Sequence, residues 1–100
     1  MSTSQAEIAG ASALSVRVTD LDLSVDLADG RTITVPVAWF PRIAMGTQTE
    51  RENWTLLGRG HGIHWSALDE DVSVESLLTG QRSRESDRSL KKWIKGRERN

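Results

Sequence analysis

The 100-residue chain contains no cysteine, no tyrosine, only two prolines and no long apolar run. Without cysteine it can form no disulfide, no thiolate metal site and no cysteine nucleophile. A bilayer-spanning helix needs about 18 or more apolar residues, and no run approaches that length. The opening residues, MSTSQAEIAG, lack the basic start and apolar stretch of a secretory signal peptide. We therefore expect a cytoplasmic protein that does not engage a membrane.

The two ends of the chain differ in charge. Residues 1–80 contain five Arg and Lys against eleven Asp and Glu, a net charge of −6. Residues 81–100 contain eight basic residues against three acidic ones, a net charge of +5. An acidic body with a basic tail could attract two different kinds of partner, or the tail could fold back onto its own body.

Alternation of apolar and polar residues predicts a small antiparallel sheet in the first third of the chain. Residues 1–13 are small and polar, which is typical of a disordered leader, and a domain is expected over residues 14–80. Val16 and Val18 predict a short half-buried strand. Two further alternations flank Ala28-Asp29-Gly30 and predict a β-hairpin.

The register of this hairpin follows from its apolar pattern. A two-residue loop would place valines opposite threonines and split the apolar face between both sides of the sheet. A three-residue loop, 28–30, keeps the apolar residues on one face. It requires a type I turn that closes on a bulge at Gly30 with positive φ. The predicted apolar pairs are Leu21–Val37, Leu23–Val35 and Val25–Ile33.

Two short helices are predicted after the hairpin. Pro41 suits the first turn of a helix, because its missing amide is not needed there, and Gly46 ends that helix. Thr47 and Glu50 have the spacing of a capping box, so a second short helix is expected to begin there.

The next segment predicts a change to strands and back to helix. Residues 55–65 contain three glycines between apolar pieces and indicate two small strands or one bent strand. Ser73 can cap a helix of about two turns that ends at Gly80. The expected fold is α+β: a small antiparallel sheet with short later strands, two or three short helices, and a C-terminal basic helix or tail.

The basic tail, residues 81–100, is predicted to be partly helical, with Ser86 as its cap. Leu90, Trp93 and Ile94 would share one side of that helix. This side could dock on the domain's own sheet, or Trp93 could be the anchor of an interface with a partner. The residues predicted to bind a partner are Arg88, Leu90, Lys91, Lys92, Trp93, Ile94, Lys95 and Arg97.

Two long segments resemble the bacterial family catalogued as domain of unknown function 2442. They are VTDLDLSVDLADGRTITVPVAWFPRI and ERENWTLLGRGHGIHWSALDEDVSVESLLTG, and they carry the family's DGR hairpin, its WFPRL motif and its GIHWP-LDEDISVEGLL motif. Ser66 stands where proline is common, and His61 is not required by the motif. The resemblance implies a small α+β domain without enzymatic activity, sometimes found beside a helix-turn-helix domain. Some members resemble the antitoxin halves of toxin–antitoxin pairs.

Most residues of these motifs are expected to have structural roles. Trp39, Trp54 and Trp65 should lie in the core or at its edge, each with a hydrogen-bond partner for its N–H group. The residues predicted to be structural are Gly30, Trp39, Pro41, Trp54, His64, Trp65, Asp69 and Asp71.

A metal site at His61, His64 and Asp69 is the alternative interpretation of the same region. Residues three apart in a strand point to opposite faces, and the surrounding glycines oppose the helix that would bring them together. We therefore expect the acidic residues to lie just ahead of the Ser73 helix and favour its dipole. No Walker loop, G-x-G-x-x-G or G-x-S-x-G motif is present, so we expect neither a cofactor nor an enzyme.

The favoured interpretation is a non-catalytic module that binds a protein, with a cognate toxin as the candidate partner and with the tail folding on binding. The alternative is nucleic-acid binding through the basic tail, with Trp93 stacking on a base. A body of net charge −6 argues against a broad surface facing DNA. The sequence leaves the oligomeric state undetermined.

Overall fold

The computed structural model describes residues 11–98, which form two three-stranded antiparallel sheets and four short-to-medium α-helices. One-turn 3₁₀ segments occupy Val37–Trp39 and Gly58–Gly60. No helix within residues 11–98 has the length and apolar character needed to cross a membrane. The strands are β1 (Ala13–Val18), β2 (Asp22–Leu27), β3 (Thr32–Pro36), β4 (Trp54–Leu57), β5 (Gly62–Trp65) and β6 (Glu70–Ser73). The α-helices are α1 (Pro41–Ala44), α2 (Gln48–Glu52), α3 (Val74–Leu78) and α4 (Asp87–Glu98).

The first sheet has the order β1–β2–β3 and the predicted hairpin register. The amide of Leu27 donates to the carbonyl of Arg31 at 2.8 Å, and the amide of Gly30 donates to the carbonyl of Leu27 at 3.1 Å. Gly30 has φ = 96°, as the bulge requires. The three-residue loop is therefore confirmed, with Leu23 opposite Val35 and Val25 opposite Ile33.

The turn between β1 and β2 differs from the prediction at Leu21. Leu21 is 77% exposed, although its backbone carbonyl does accept from the amide of Val37 at 2.9 Å. The hydroxyl of Thr19 accepts from the amides of Leu21 and Asp22 and holds this segment as a turn. The predicted apolar side of the hairpin therefore stops at Leu23 and does not include Leu21.

The described chain also corrects the predicted start of the domain. Ala11 is fully buried and β1 begins at Ala13, so ordered structure precedes residue 14. A Cβ atom added to Gly60, which has φ = 84°, would lie 2.7 Å from the carbonyl oxygen of Ala13. The close approach of the β4–β5 connection thus covers the beginning of β1. Residues 1–10 of the predicted leader lie outside the described residues.

The later strands form a second sheet instead of extending the first. The glycine-rich segment gives two strands, β4 and β5, and β6 pairs with β5 to complete the order β4–β5–β6. β6 was not predicted, because acidic residues have low strand propensity and only Val72 is apolar in it. Ile63, which is fully buried, lies opposite Val72 in the ladder, so pairing with β5 outweighs local propensity.

The predicted helix caps are confirmed. Pro41 is the first residue of α1. The hydroxyl of Thr47 accepts from the amide of Glu50 at 3.1 Å, and the Glu50 carboxylate accepts from the amide of Thr47 at 2.9 Å, which completes the capping box of α2. Ser73 accepts from the amide of Ser76 at 3.0 Å and caps α3, and Gly80 follows that helix with φ = 75°.

Both sheets and the short helices share a single hydrophobic core. Trp65 is fully buried, and its indole N–H donates to the carbonyl of Arg51 at 2.9 Å. Arg51 is itself 6% exposed and donates to the carbonyls of Ile43 and Ala44 at 3.0 and 2.8 Å. Because α1 is one turn long, its last carbonyls have no hydrogen-bond donors within the helix, and the Arg51 guanidinium donates to them.

We expect Gly30→Val to lower the free energy of unfolding by at least about 1–2 kcal/mol, the cost of a left-handed conformation for an ordinary residue. Urea unfolding measures the change. Gly96→Ala is the control, because the site in α4 has open space and alanine is the better helix former by about 1 kcal/mol. A Gly30→Val protein as stable as the wild type would contradict the bulge.

Candidate functional site: the C-terminal helix and the cleft beside it

α4 has two opposite sides with different environments. Ser86 caps the helix, accepting from the amide of Ser89 at 3.1 Å, as predicted. The first side, which we call the docking side, is half-buried and consists of Leu90, Trp93, Ile94 and Arg97. The opposite side, which we call the basic face, is exposed and consists of Arg88, Lys91, Lys92 and Lys95. Each set follows the spacing i, i+3, i+4, i+7, which is one side of an α-helix.

Trp93 packs on the protein's own body. It belongs to the partly buried residues that contact the core, and two guanidinium groups lie close to its ring. The Arg42 and Arg97 guanidinium carbons are 5.2 and 4.7 Å from the ring centroid, within the range of cation–π attraction. Of the three apolar residues on this side of the tail, Trp93 therefore packs against the body's core, and Leu90 and Ile94 are half-buried.

Two ion pairs attach the tail to the body. Arg42 donates through Nε to both carboxylate oxygens of Glu85 at 2.9 Å, and its side chain is 15% exposed. At the other end of α4, Arg97 donates to the two oxygens of Glu50 at 3.0 and 2.8 Å. Both are two-point contacts between a guanidinium and a carboxylate, which fix orientation as well as charge.

These pairs change the acidity of their carboxylates. The Arg97 guanidinium, followed by the amide of Thr47, lowers the pKa of Glu50 from 4.5 to about 2. The Arg42 guanidinium likewise holds the pKa of Glu85 below its ordinary value, and the hydroxyl of Ser89 donates to the same carboxylate at 2.8 Å. Both carboxylates are therefore ionised at neutral pH, so that both attachments are charged.

The basic face has no such partners. Within residues 11–98, none of its four cations forms an ion pair with a carboxylate, whereas Arg42, Arg51 and Arg97 are all paired. The docking side holds the helix in place, so the four charges are displayed together on a fixed surface. Because seven residues of helix rise about 10 Å, the face is a compact positive patch.

A cleft of about 700 Å³ lies between β6 and the segment that leads into α4. One wall is acidic and the other is rich in arginine and serine. Glu70 lies in the cleft with one carboxylate oxygen, Oε1, accepting from the amide of Asp71 at 3.1 Å. Its other oxygen, Oε2, is buried without a hydrogen-bond partner among the described residues, and burial raises the pKa of Glu70. The lining residues are Phe40, Arg42, Asp69, Glu70, Asp71, Val72, Ser73, Ser76, Gln81, Arg82, Ser83, Arg84, Glu85, Ser86 and Ser89.

Several residues predicted to be structural support the cleft and its surroundings. Trp39 is half-buried beneath Arg82, whose guanidinium carbon is 4.7 Å from the ring centroid, and its carbonyl accepts from the amide of Ser83 at 3.0 Å. Asp69 has φ = 51° and offers its carbonyl to Arg42 at 2.9 Å. Trp54 is half-buried on β4, directly opposite Trp65. The turn at Asp69 and the first residues of the tail are thus linked through Arg42.

His64 lies beside Asp71. They are directly opposite each other on β5 and β6, and the His64 Nδ1 atom is 2.5 Å from Asp71 Oδ1. His61 is exposed in the connection ahead of β5. Among the described residues, no three His, Cys, Asp or Glu side chains are grouped as a metal would require. The acidic residues Glu70 and Asp71 form part of β6, the strand that leads directly into Ser73 and α3.

A family model described as "Protein of unknown function (DUF2442)" matches residues 13–83. The chain belongs to this family. The match includes both sheets and α1 to α3, and it ends before α4. The resemblance stated from the GIHW and WFPRI motifs is thereby confirmed. The docking side and the basic face of α4 lie outside the part of this DUF2442 protein that defines the family.

Two solved structures are similar to this DUF2442 protein. One is a protein of unknown function from Rhodospirillum rubrum, 26% identical, with a TM-score of 0.65, covering 75% of this chain and 93% of its own. The other is an uncharacterized protein from Chromobacterium violaceum, 18% identical, with a TM-score of 0.65, covering 92% of this chain and 89% of its own. The second likeness shows the fold alone. No curated protein matches the chain.

Two residues that organise this region were not identified from the sequence. Arg42 follows Pro41 in the WFPRI motif, and Glu85 is one of only three acidic residues in the basic tail. An acidic residue within a basic segment could have been interpreted as a contact to the body, but its partner is 43 residues away in the chain. Such a pairing depends on the fold, because no pattern of neighbouring residues in the sequence predicts it.

Replacing Arg97 with glutamine removes the main cause of the low Glu50 pKa. A carboxyl with a depressed folded-state pKa stabilises the protein above its unfolded pKa, and this contribution is lost as the pH falls toward the folded value. We expect Arg97→Gln to reduce the free energy of unfolding most above pH 4.5, and the difference from wild type to shrink as the pH approaches 2. Urea titrations at fixed pH measure it.

Lys95→Gln is the matched control, because it removes one positive charge from the same helix without breaking an ion pair. We expect its effect on the free energy of unfolding to be smaller and nearly constant over the same pH range. Equal pH profiles for the two variants would contradict the role of the Arg97–Glu50 pair.

Proposed function

We propose that this protein is a non-catalytic binding module of the cytoplasm, and that it binds an acidic protein surface through the basic face of α4. The observation that carries the proposal is the contrast within one helix. Arg97 is paired with a carboxylate, whereas Arg88, Lys91, Lys92 and Lys95, on the opposite side, have no ion-pair partner among residues 11–98. Unpaired cations held on a fixed helix favour association with a complementary anionic surface.

The docked state of α4 supports this proposal on energetic grounds. A tail that folded only on binding would lose conformational entropy at that moment, and affinity would fall accordingly. Trp93, Arg42, Glu50 and Arg97 already hold the helix on the body. We therefore propose a preformed surface in place of a tail that folds on binding, so that binding depends on charge and not on helix formation.

Nucleic-acid binding through the same face is the second candidate, and the alignment of four cations favours it. Trp93 is half-buried against the body, and its ring is already in contact with Arg42 and Arg97, so we assign it no stacking on a base. Contacts would therefore be limited to phosphates. With four cations, the slope of log K against log salt would be no steeper than about −4. The acidic body, with a net charge of −6, would repel nucleic acid that extended beyond the basic face.

The family resemblance adds one specific partner class, a toxin, to the protein-binding proposal. This step rests on association with the family and on no contact in the fold. The cognate toxin would carry an acidic patch of a size matched to the basic face.

The test is a double charge reversal, Lys91→Glu with Lys95→Glu, measured by capture of the partner from the protein's own host with a tagged chain. We expect the captured protein to be lost from the variant, and wild-type capture to weaken as salt rises, because the contact is electrostatic. Fluorescence anisotropy with a labelled DNA duplex, run on the same proteins, distinguishes the nucleic-acid candidate.

The matched control is Arg59→Glu with Arg84→Glu, which produces the same change in net charge away from α4. These residues are exposed and lie in the β4–β5 connection and the cleft wall. Retention of the partner by the control and its loss from the α4 variant support the proposal. Equal loss from both, or from neither, would show that the basic face is not the binding surface.

A further inference from the structure

The outer edge of β4 presents unused backbone hydrogen-bonding groups. The amide of Val74 donates to the carbonyl of His61 at 2.9 Å, which defines the alternation along the β5–β6 ladder. In antiparallel pairs, hydrogen-bonded and non-hydrogen-bonded positions alternate. Along β5, residues whose backbone groups point toward β6 therefore alternate with residues whose groups point toward β4. In the register of β4 with β5, the backbone groups of Thr55 and Leu57 then point toward β5, and those of Trp54 and Leu56 point outward. Within residues 11–98, no backbone hydrogen bond involves that outward edge.

Each of the other three sheet edges has at least one feature that opposes an added strand. On β1, the side chain of Gln48 donates to the carbonyl of Val18 at 2.9 Å. On β3, Pro36 has no amide to offer a further strand. On β6, the amide of Asp71 is already bonded to the Glu70 carboxylate, and the charges of this strand oppose an added chain. Protein edges are commonly protected in these ways, by side-chain contacts, proline and charge.

β4 has none of these protections. Its sequence, Trp54-Thr55-Leu56-Leu57, contains no charge and no proline. Thr55 is exposed, and Leu56 and Leu57 are 37% and 46% exposed, so apolar side chains accompany the open edge. An exposed uncharged edge strand is a template for pairing with another strand.

We propose that β4 pairs antiparallel with β4 of a second copy of this chain, across a two-fold axis at Thr55, to give a continuous six-stranded sheet. This register places Trp54 of each copy opposite Leu56 of the other, so that all four outward backbone positions are hydrogen-bonded. Two apolar side chains then face each other, and Thr55 faces its own equivalent. The strand is complementary to itself, as a two-fold interface requires.

The absence of native cysteine allows a direct test by a single-cysteine variant, Thr55→Cys. At the axis, the two Thr55 residues would form a non-hydrogen-bonded pair with Cα atoms about 4.5 Å apart, a separation that a disulfide can span. Mild oxidation is expected to convert the variant to a covalent dimer, measured on non-reducing gels. Thr34→Cys is the control, because Thr34 is an exposed threonine on the protected edge strand β3.

Sedimentation of the unmodified chain supplies the second measurement. The wild type is expected at twice the 11.1 kDa mass of one chain. Thr55→Lys is expected at the single mass with an unchanged circular dichroism spectrum, because it places like charges opposite each other at the axis.

The proposal is overturned if the wild type sediments as a monomer at millimolar concentration, which would leave another protein or the chain's own residues 1–10 as the occupant of the edge. It is also overturned if Thr55→Cys cross-links no faster than Thr34→Cys. A dimer that persists in Thr55→Lys would place the interface elsewhere.

Discussion

The attachment of α4 through guanidinium–carboxylate pairs is the interaction on which the surface of this protein depends. Arg42 holds Glu85 ahead of the helix, and Glu50 holds Arg97 at its end. Trp93 lies within cation–π distance of both arginines and contributes apolar contact as well. Single surface ion pairs contribute little, but two-point pairs near both ends of a helix, with an aromatic ring packed on the body, restrict the rotation of that helix. That rotation decides which cations meet the body and which face the solvent.

The same constraint separates two kinds of surface on one small domain. In the part of the chain that the structure describes, the basic face of α4 has no ion-pair partner, whereas the outer edge of β4 is uncharged and has no backbone partner. The first suits an anionic partner held by Coulomb attraction, and the second suits a strand held by backbone hydrogen bonds. Since the two surfaces use different chemistry, salt should weaken binding to the first while leaving pairing at the second largely unchanged.

Local sequence rules predicted the elements whose causes are local. Gly30, Pro41, Thr47, Ser73 and Ser86 each act within a few residues, through a bulge or a helix start, and each is found where its pattern placed it. The rules failed where distant segments decide the outcome. β6 exists because its residues pair with β5, against their own propensity. Leu21 is exposed because the hydroxyl of Thr19 turns the chain before the apolar side continues.

The sequence by itself determined the family, the α+β class, the hairpin register and the helix starts, since alternation, glycine and capping residues act over short distances. Only the tertiary structure decided that the strands divide into two sheets, that Arg51 is buried against the end of α1, and that Trp93 faces the body. These outcomes depend on pairs such as Arg42 with Glu85, whose partners are far apart in the chain. Neither residue carries a local signal of the other, because their contact forms only when the core has brought the tail alongside the body.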